Sequence, residues 1–265
     1  MSDFFGGALS PDRWPTFVLI TARIGGLMMS APLWSMSTMP RSVRAAITVL
    51  LAVFLLPMAP TTAMPEQVLD LPLPVALEMV VGLAIGLTAA VFVQGVALAG
   101  EVVSIQMGLS LGPALSPTAD LQTVGIGQLQ GVLAMMIYLA VGGHLMLLRG
   151  LADSLQSLPP GTAINFGDGG AAAAMMLSTL FSAAVRAAAP VLVTLLLVNV
   201  ALAILSRAVP QLNAMMVSLP ISIAVGLVMA GVSMPVVAAT VESWMHALPE
   251  SVEATVQSFK PAVQR

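Results

Sequence analysis

The sequence predicts an all-α polytopic membrane protein with about six long hydrophobic helices, several of them kinked by proline into hairpins. Three observations carry this reading. Hydrophobic residues fill 58% of the 265 positions and charged residues only 8%, with a mean hydropathy of +0.99. A soluble domain carries about 25% charged residues, so this chain cannot cover a water-facing surface on its own. It belongs in a bilayer or in a large apolar assembly. Second, the apolar residues gather into runs of the length that crosses a hydrocarbon core, about 20 residues each. Third, these runs lack the alternation of a β-barrel, so their backbone groups must be satisfied within helices.

The segments follow in order. The first covers about 14–34 and holds Arg23. The second, about 43–59, is short but unbroken. The third, about 74–100, starts near Glu78 and is rich in glycine. The fourth, about 124–148, ends at His144 and Arg149. The fifth, about 172–206, contains Arg186 and Pro190, and the sixth, about 212–243, contains Pro220 and Pro235. A polar tail over 244–265 includes a short helical stretch from Pro249 to Phe259. The whole of 1–265 reads as one integral-membrane domain.

Each proline inside an apolar run removes a backbone donor and tends to kink its helix. Such helices are tolerated at membrane depth where protein or water covers the freed groups. Gly82 and Gly86 form a G-x-x-x-G pair, and Gly95 and Gly100 continue the small-residue theme. Residues this small let helix backbones approach closely. Arg41 and Arg44 make the 35–44 loop the most basic, which argues for a cytoplasmic side. The 60–73 loop, with Glu66 and Asp70, fits the opposite side. Lys260 and Arg265 in the tail argue against that orientation for six spans, so the orientation stays open. The first residues carry Asp3 and Asp12 and no basic region, so they do not read as a signal peptide.

Composition also excludes chemistry. The net charge of −3 gives no nucleic-acid footprint. Cysteine is absent, which removes disulfides, thiol catalysis and thiolate-bound metals. With two histidines and no cysteine, a zinc site is not expected, and no cofactor motif is present. Gly108-Leu-Ser110-Leu-Gly112 spells G-x-S-x-G. A hydrolase needs that serine on a turn between a strand and a helix, whereas the preceding residues read as the end of a long helix. GIGQLQG at 125–131 misses the dinucleotide spacing by one residue. No catalytic constellation is found. Arg23, Glu78, Glu101, Arg186 and Arg207 remain as charges in or beside apolar helices, and such groups are functional candidates by default. A small-molecule secondary transporter would use them at a polar site midway through the membrane, usually with an internal repeat. Ion pairing between helices or subunits is the other use.

Five stretches in order give the chain a resemblance to a known family. ARIGGLMMSAPLWSMSTMPRSVRAAITVLLA carries Arg23, Pro32, Pro40, Arg41 and Arg44. LEMVVGLAIGL carries Glu78, Gly82 and Gly86. AGEVVSIQMGLSL carries Gly100, Glu101, Gln106, Met107 and Gly108. GGHLMLLRGLADSLQSLPPG follows, and LSRAVPQLNAMMVSLPISIAVGL carries Arg207, Pro210, Gln211, Asn213 and Pro220. The pattern resembles the FliR family, an inner-membrane component of the flagellar type III export apparatus with counterparts in injectisomes. The PQLN segment favours the flagellar branch.

The resemblance implies a structural subunit without cofactor or metal, placed in the bacterial inner membrane at the flagellar basal body. It implies assembly with FliP-like and FliQ-like gate subunits, with FlhB-like and FlhA-like export proteins, and contact with membrane lipid. Unfolded flagellar proteins would pass in transit. It also implies that a loop at about 108–118 plugs the closed pore, with Gln106, Met107, Gly108, Ser110, Gly112, Pro113 and Pro117 in or beside it. Much of such a gate lies above the membrane plane, so apolar segments need not all be bilayer spans. Two departures stand out. The loop here, LSLGPALSP, has no Phe, and the bend reads Ser218-Leu219-Pro220 where relatives place Gly-Phe-Pro.

Overall fold

The structure, a computed structural model, describes residues 13–36, 39–62, 71–109, 126–164, 169–208 and 214–260. Among these residues there are seven α-helices. They are α1 (Trp14–Ser30), α2 (Arg41–Leu55), α3 (Pro72–Gln106), α4 (Ile126–Ala140), α5 (Gly143–Ser157), α6 (Gly169–Ala208) and α7 (Ala214–Gln257). Four helices are long and apolar enough to cross a membrane, or five spans if the α4–α5 pair counts as one. The sequence reading of about six is reduced chiefly by α1, which stops after 17 residues. Its end is local chemistry. Ala31 precedes Pro32 and takes extended angles, φ −67 and ψ 137, because a residue before proline is pushed out of the helical region.

Proline punctuates α2 in the same way. Pro40, itself extended, precedes its first turn, and the chain leaves it through a short 3-10 turn at Leu56–Met58 around Pro57. Helices α3, α6 and α7 have 35, 40 and 44 residues. At about 1.5 Å per residue they are roughly 52–66 Å long, well beyond the about 30 Å hydrocarbon thickness. The segment expected as one helix over 124–148 is instead broken, and α4 and α5 meet at 61°. Gly142 sits at the break with φ +78, a left-handed conformation that only glycine adopts cheaply. Pro190 lies inside α6, and Pro220 and Pro235 lie inside α7, so each proline falls within a helix that continues past it. The expected polar tail is likewise mostly helix, since α7 runs on through Pro249 to Gln257.

The residues cluster into two compact units. The first takes residues 1–91, 142–177 and 246–265. Its core includes Ile20, Ile24, Leu27 and Trp34 with Ile85, Leu151, Leu155 and Val252. In it α1 crosses the first half of α3 at close range. A Cβ on Gly82 would collide with the Arg23 carbonyl oxygen, and one on Gly86 would lie 2.8 Å from the Leu27 oxygen. Gly26, which no sequence pattern singled out, completes the crossing against the Met79 and Leu83 backbone. The second unit takes residues 92–141 and 178–245. Val96, Val103, Met107, Tyr138, Leu195 and Val237 are among its buried residues. Large apolar side chains remain uncovered on α2 (Val49, Leu50, Phe54) and α6 (Val185, Val193, Leu196, Leu197).

Candidate functional site

The end of α3 is built by its own backbone. The Gly108 N–H donates to the Ile105 oxygen and the Leu109 N–H to the Ser104 oxygen, each at 3.0 Å. This pair of bonds, with Gly108 at φ +78, is the Schellman arrangement that satisfies the last carbonyls of a helix. Ser104 then does a second thing. Its Oγ donates to the Gly100 oxygen at 2.9 Å and accepts from the Ile126 N–H at 3.0 Å. That N–H opens α4 and has no partner within its own helix. Leu109 and Ile126, the described residues flanking 110–125, are therefore both fastened to Ser104.

Met107 anchors the same turn. It is 0% exposed, and its side chain fills the space a Cβ at Gly226 of α7 would need, 2.6 Å from Met107 Cγ. Gln106, next to it, is exposed. One turn back, α3 and α4 touch through their backbones. A Cβ on Gly100 would lie 2.7 Å from the Gly127 Cα, and one on Gly127 would lie 2.9 Å from the Ala97 oxygen and the Glu101 nitrogen. Glu101 stays exposed above this contact. Ser110, Gly112, Pro113 and Pro117 lie outside the described residues. The residues before Ser110 form a helix rather than a strand, so the structural context of a nucleophile elbow is missing. Sequence reasoning missed Ser104 and Gly226, because a serine in a helix and a glycine in an apolar run give no signal until their neighbours are known.

In the first unit the structure brings together two charges that the sequence left unpaired. Arg23 Nε donates to Glu78 Oε2 at 2.5 Å, and the two side chains are 0% and 2% exposed. Both terminal nitrogens of the guanidinium are also used. Nη1 donates to the oxygen and hydroxyl of Ser154 at 3.0 and 3.1 Å, and Nη2 donates to the Leu158 oxygen at 3.0 Å. The second carboxylate oxygen of Glu78 accepts the Gly161 N–H at 2.9 Å. Arg23 and Glu78 thus hold α1, α3, the end of α5 and the turn after it. A buried pair held by further hydrogen bonds on both partners is tolerated, whereas a broken one is costly.

The other candidates are dispersed. Pro40 caps α2, Arg41 is exposed, and Arg44 donates to the Met36 oxygen at 3.3 Å. Arg207 is exposed in the last turn of α6, where a cation suits the helix dipole. Pro220 is exposed on α7. Pro210, Gln211 and Asn213 lie outside the described residues. Among the described residues no group of three His, Asp or Glu side chains could hold a metal ion.

Comparison with known proteins agrees with a helical export component. Residues 14–248 match the model of a family described as bacterial export proteins, family 1. The chain is 34% identical over 232 residues to the flagellar biosynthetic protein FliR of Bacillus subtilis (strain 168), covering 85% of this chain and 88% of that one. It is 27% identical over 225 residues to the FliR of Escherichia coli (strain K12), covering 85% and 84% of the two chains. It is also 27% identical over 248 residues to that of Aquifex aeolicus (strain VF5), covering 92% and 95%. The chain belongs to the FliR family, as a non-enzymatic inner-membrane component of the flagellar export apparatus.

Proposed function

We propose that this chain completes the flagellar export gate together with FliP-like and FliQ-like subunits, with an FlhB-like protein at its base and an FlhA-like export protein as a further partner. Unfolded flagellar proteins cross through the assembled gate, and the loop at about 108–118 plugs it when closed. The observation that supports the plug is the neck at Ser104, which fastens Leu109 and Ile126, on either side of 110–125, to one turn of α3. A segment held at its base can leave a pore and return without unravelling the helices beside it. The uncovered apolar faces of α2 and α6 support assembly, since patches of this kind mark contact with lipid or protein. Glu101 and Arg207, both exposed beside apolar helices, would meet opposite charges on neighbouring subunits.

The test is to shorten 108–118 in a motile strain and measure both secretion and ion leakage across the inner membrane. The expected result is a leaky membrane with export retained. A membrane that stays tight would remove the plug assignment and leave gate membership standing.

A further inference from the structure

Helix α6 carries two charges, Arg186 and Arg207, and both are exposed. Residues 187–206, between them, carry none. At about 1.5 Å per residue the two arginines lie roughly 31 Å apart along the helix. A hydrocarbon core is about 30 Å thick. The face that joins them is apolar. At about 100° per residue, Val193, Leu197, Val200 and Ile204 fall within about 40° of Arg186, and Arg207 within about 60°. These four side chains are at least half exposed. The opposite face holds Ala184, Ala188, Val191 and Leu195, all buried within the second unit. Among the described residues neither arginine makes an ion pair.

We propose that this face of α6 lies directly against lipid acyl chains, and that Arg186 and Arg207 bind phospholipid phosphates, one in each leaflet. The proposal rests on the membrane location of the chain and goes beyond the gate reading. Spacing is the first reason. Cations one hydrocarbon thickness apart reach both headgroup layers, where phosphate supplies the opposite charge, and the run between them needs no polar partner. The second reason is the contrast between the two faces. Helices that pack on helices in a membrane use small residues, as α6 does with its buried alanines, whereas the outer stripe is built from branched aliphatic side chains. Pro190 gives a third reason. It lies one turn after Arg186 and has no N–H to offer the Arg186 carbonyl. A carbonyl freed in this way needs water or protein beside it, and water is present at the headgroup layer. The placement also accounts for the length of α6, 40 residues, by leaving Gly169–Val185 beyond the hydrocarbon. Arg207 keeps donors for a subunit carboxylate as well, because a guanidinium has five N–H groups.

The chain has no cysteine, so a single introduced one takes a nitroxide label without competition from its own residues. Leu197→Cys or Ala208→Cys chains are labelled in the purified gate complex, with partner subunits freed of cysteine, and placed in vesicles of phosphatidylcholine and phosphatidylglycerol. Electron paramagnetic resonance then reads collisions with oxygen, which concentrates in lipid, and with a nickel chelate, which stays in water. The ratio of oxygen to nickel collisions should be several-fold higher at position 197 than at position 208. Few collisions with either reagent at 197 would mean that a protein neighbour covers the face, and would overturn the proposal while sparing the gate reading. Frequent nickel collisions there would mean water, and would overturn it too. In parallel, Arg186→Gln should lower the phosphatidylglycerol retained by the complex in native mass spectrometry about tenfold, and Arg186→Lys should lower it less. Equal retention by Arg186→Gln would overturn the phosphate contact. The label at 197 decides the lipid face with both arginines in place, even where Arg186→Gln fails to assemble. A chain that forms no heteromeric complex would sink the gate reading, and the same label on the chain alone in vesicles would still decide the lipid face.

Discussion

Arg23 and Glu78 stand 55 positions apart in the chain and meet as a buried ion pair in the core of the first unit. The guanidinium also binds Ser154 and Leu158, and the carboxylate also binds Gly161. The pair therefore ties a helix crossing to the turn at Leu158–Gly161. It explains why two expensive charges persist on apolar helices without serving a transported solute.

Removing either partner should be far more harmful than removing both. Arg23→Ala or Glu78→Ala leaves a buried charge behind and should cost about 3–5 kcal/mol. A double change to apolar residues of similar volume should recover part of that. Thermal denaturation of the purified gate complex would show it; single and double variants that melt alike would mean the pair is not the hub.

The crossing of α1 and α3 predicts an unusual asymmetry among glycines. Gly82→Ala would drive a methyl into the Arg23 backbone, and overpacking of this kind costs about 1–3 kcal/mol. Gly25→Ala meets nothing within 4 Å and should be neutral or stabilising by about 0.5–1 kcal/mol, since alanine suits a helix better than glycine. Recovery and melting temperature of the two variants, side by side, test the packing directly.

Loosening the neck should mimic a mild version of the loop deletion. Ser104→Ala leaves the Ile126 N–H without its acceptor, at a cost of about 1–3 kcal/mol. Gly108→Ala forces a left-handed conformation on a residue with a Cβ, at roughly 1–2 kcal/mol. Ion leakage in both variants should exceed wild type and fall short of the deletion. Leakage equal to wild type in both would separate the neck from gating.

Met107 and Gly226 should behave as one unit. Met107→Ala opens a cavity and should cost about 2–5 kcal/mol, and Gly226→Val should clash with Met107. Together the two changes should be less damaging than their sum, because the added side chain enters the vacated space. Additive losses in a double-mutant cycle on complex stability would show that the two do not share that space.

Much of the fold was legible because its cues are local. The first two segments were legible as helices, although the reading carried them to about 34 and 59, past Pro32 and Pro57, whose local sterics end α1 and α2. Gly108 closes α3 for the same kind of reason. The break at Gly142 was misread because apolar periodicity continues across it, and a single glycine among many does not announce a left-handed turn. The extension of α7 through Pro249 was also missed. Reading 244–265 as polar captured its composition and overlooked Met245, Leu248, Val252 and Val256, which are buried.

By itself, then, the sequence determined an all-helical membrane chain, the family motifs and the residues that matter by type, since hydropathy and proline geometry act over a few neighbours. The tertiary structure decided who meets whom. Arg23 finds Glu78, Met107 finds Gly226, and Ser104 gathers both flanks of the loop. Those partners are set by how helices pack across long stretches of chain. A buried charge or small residue records that it needs a neighbour and does not record which one.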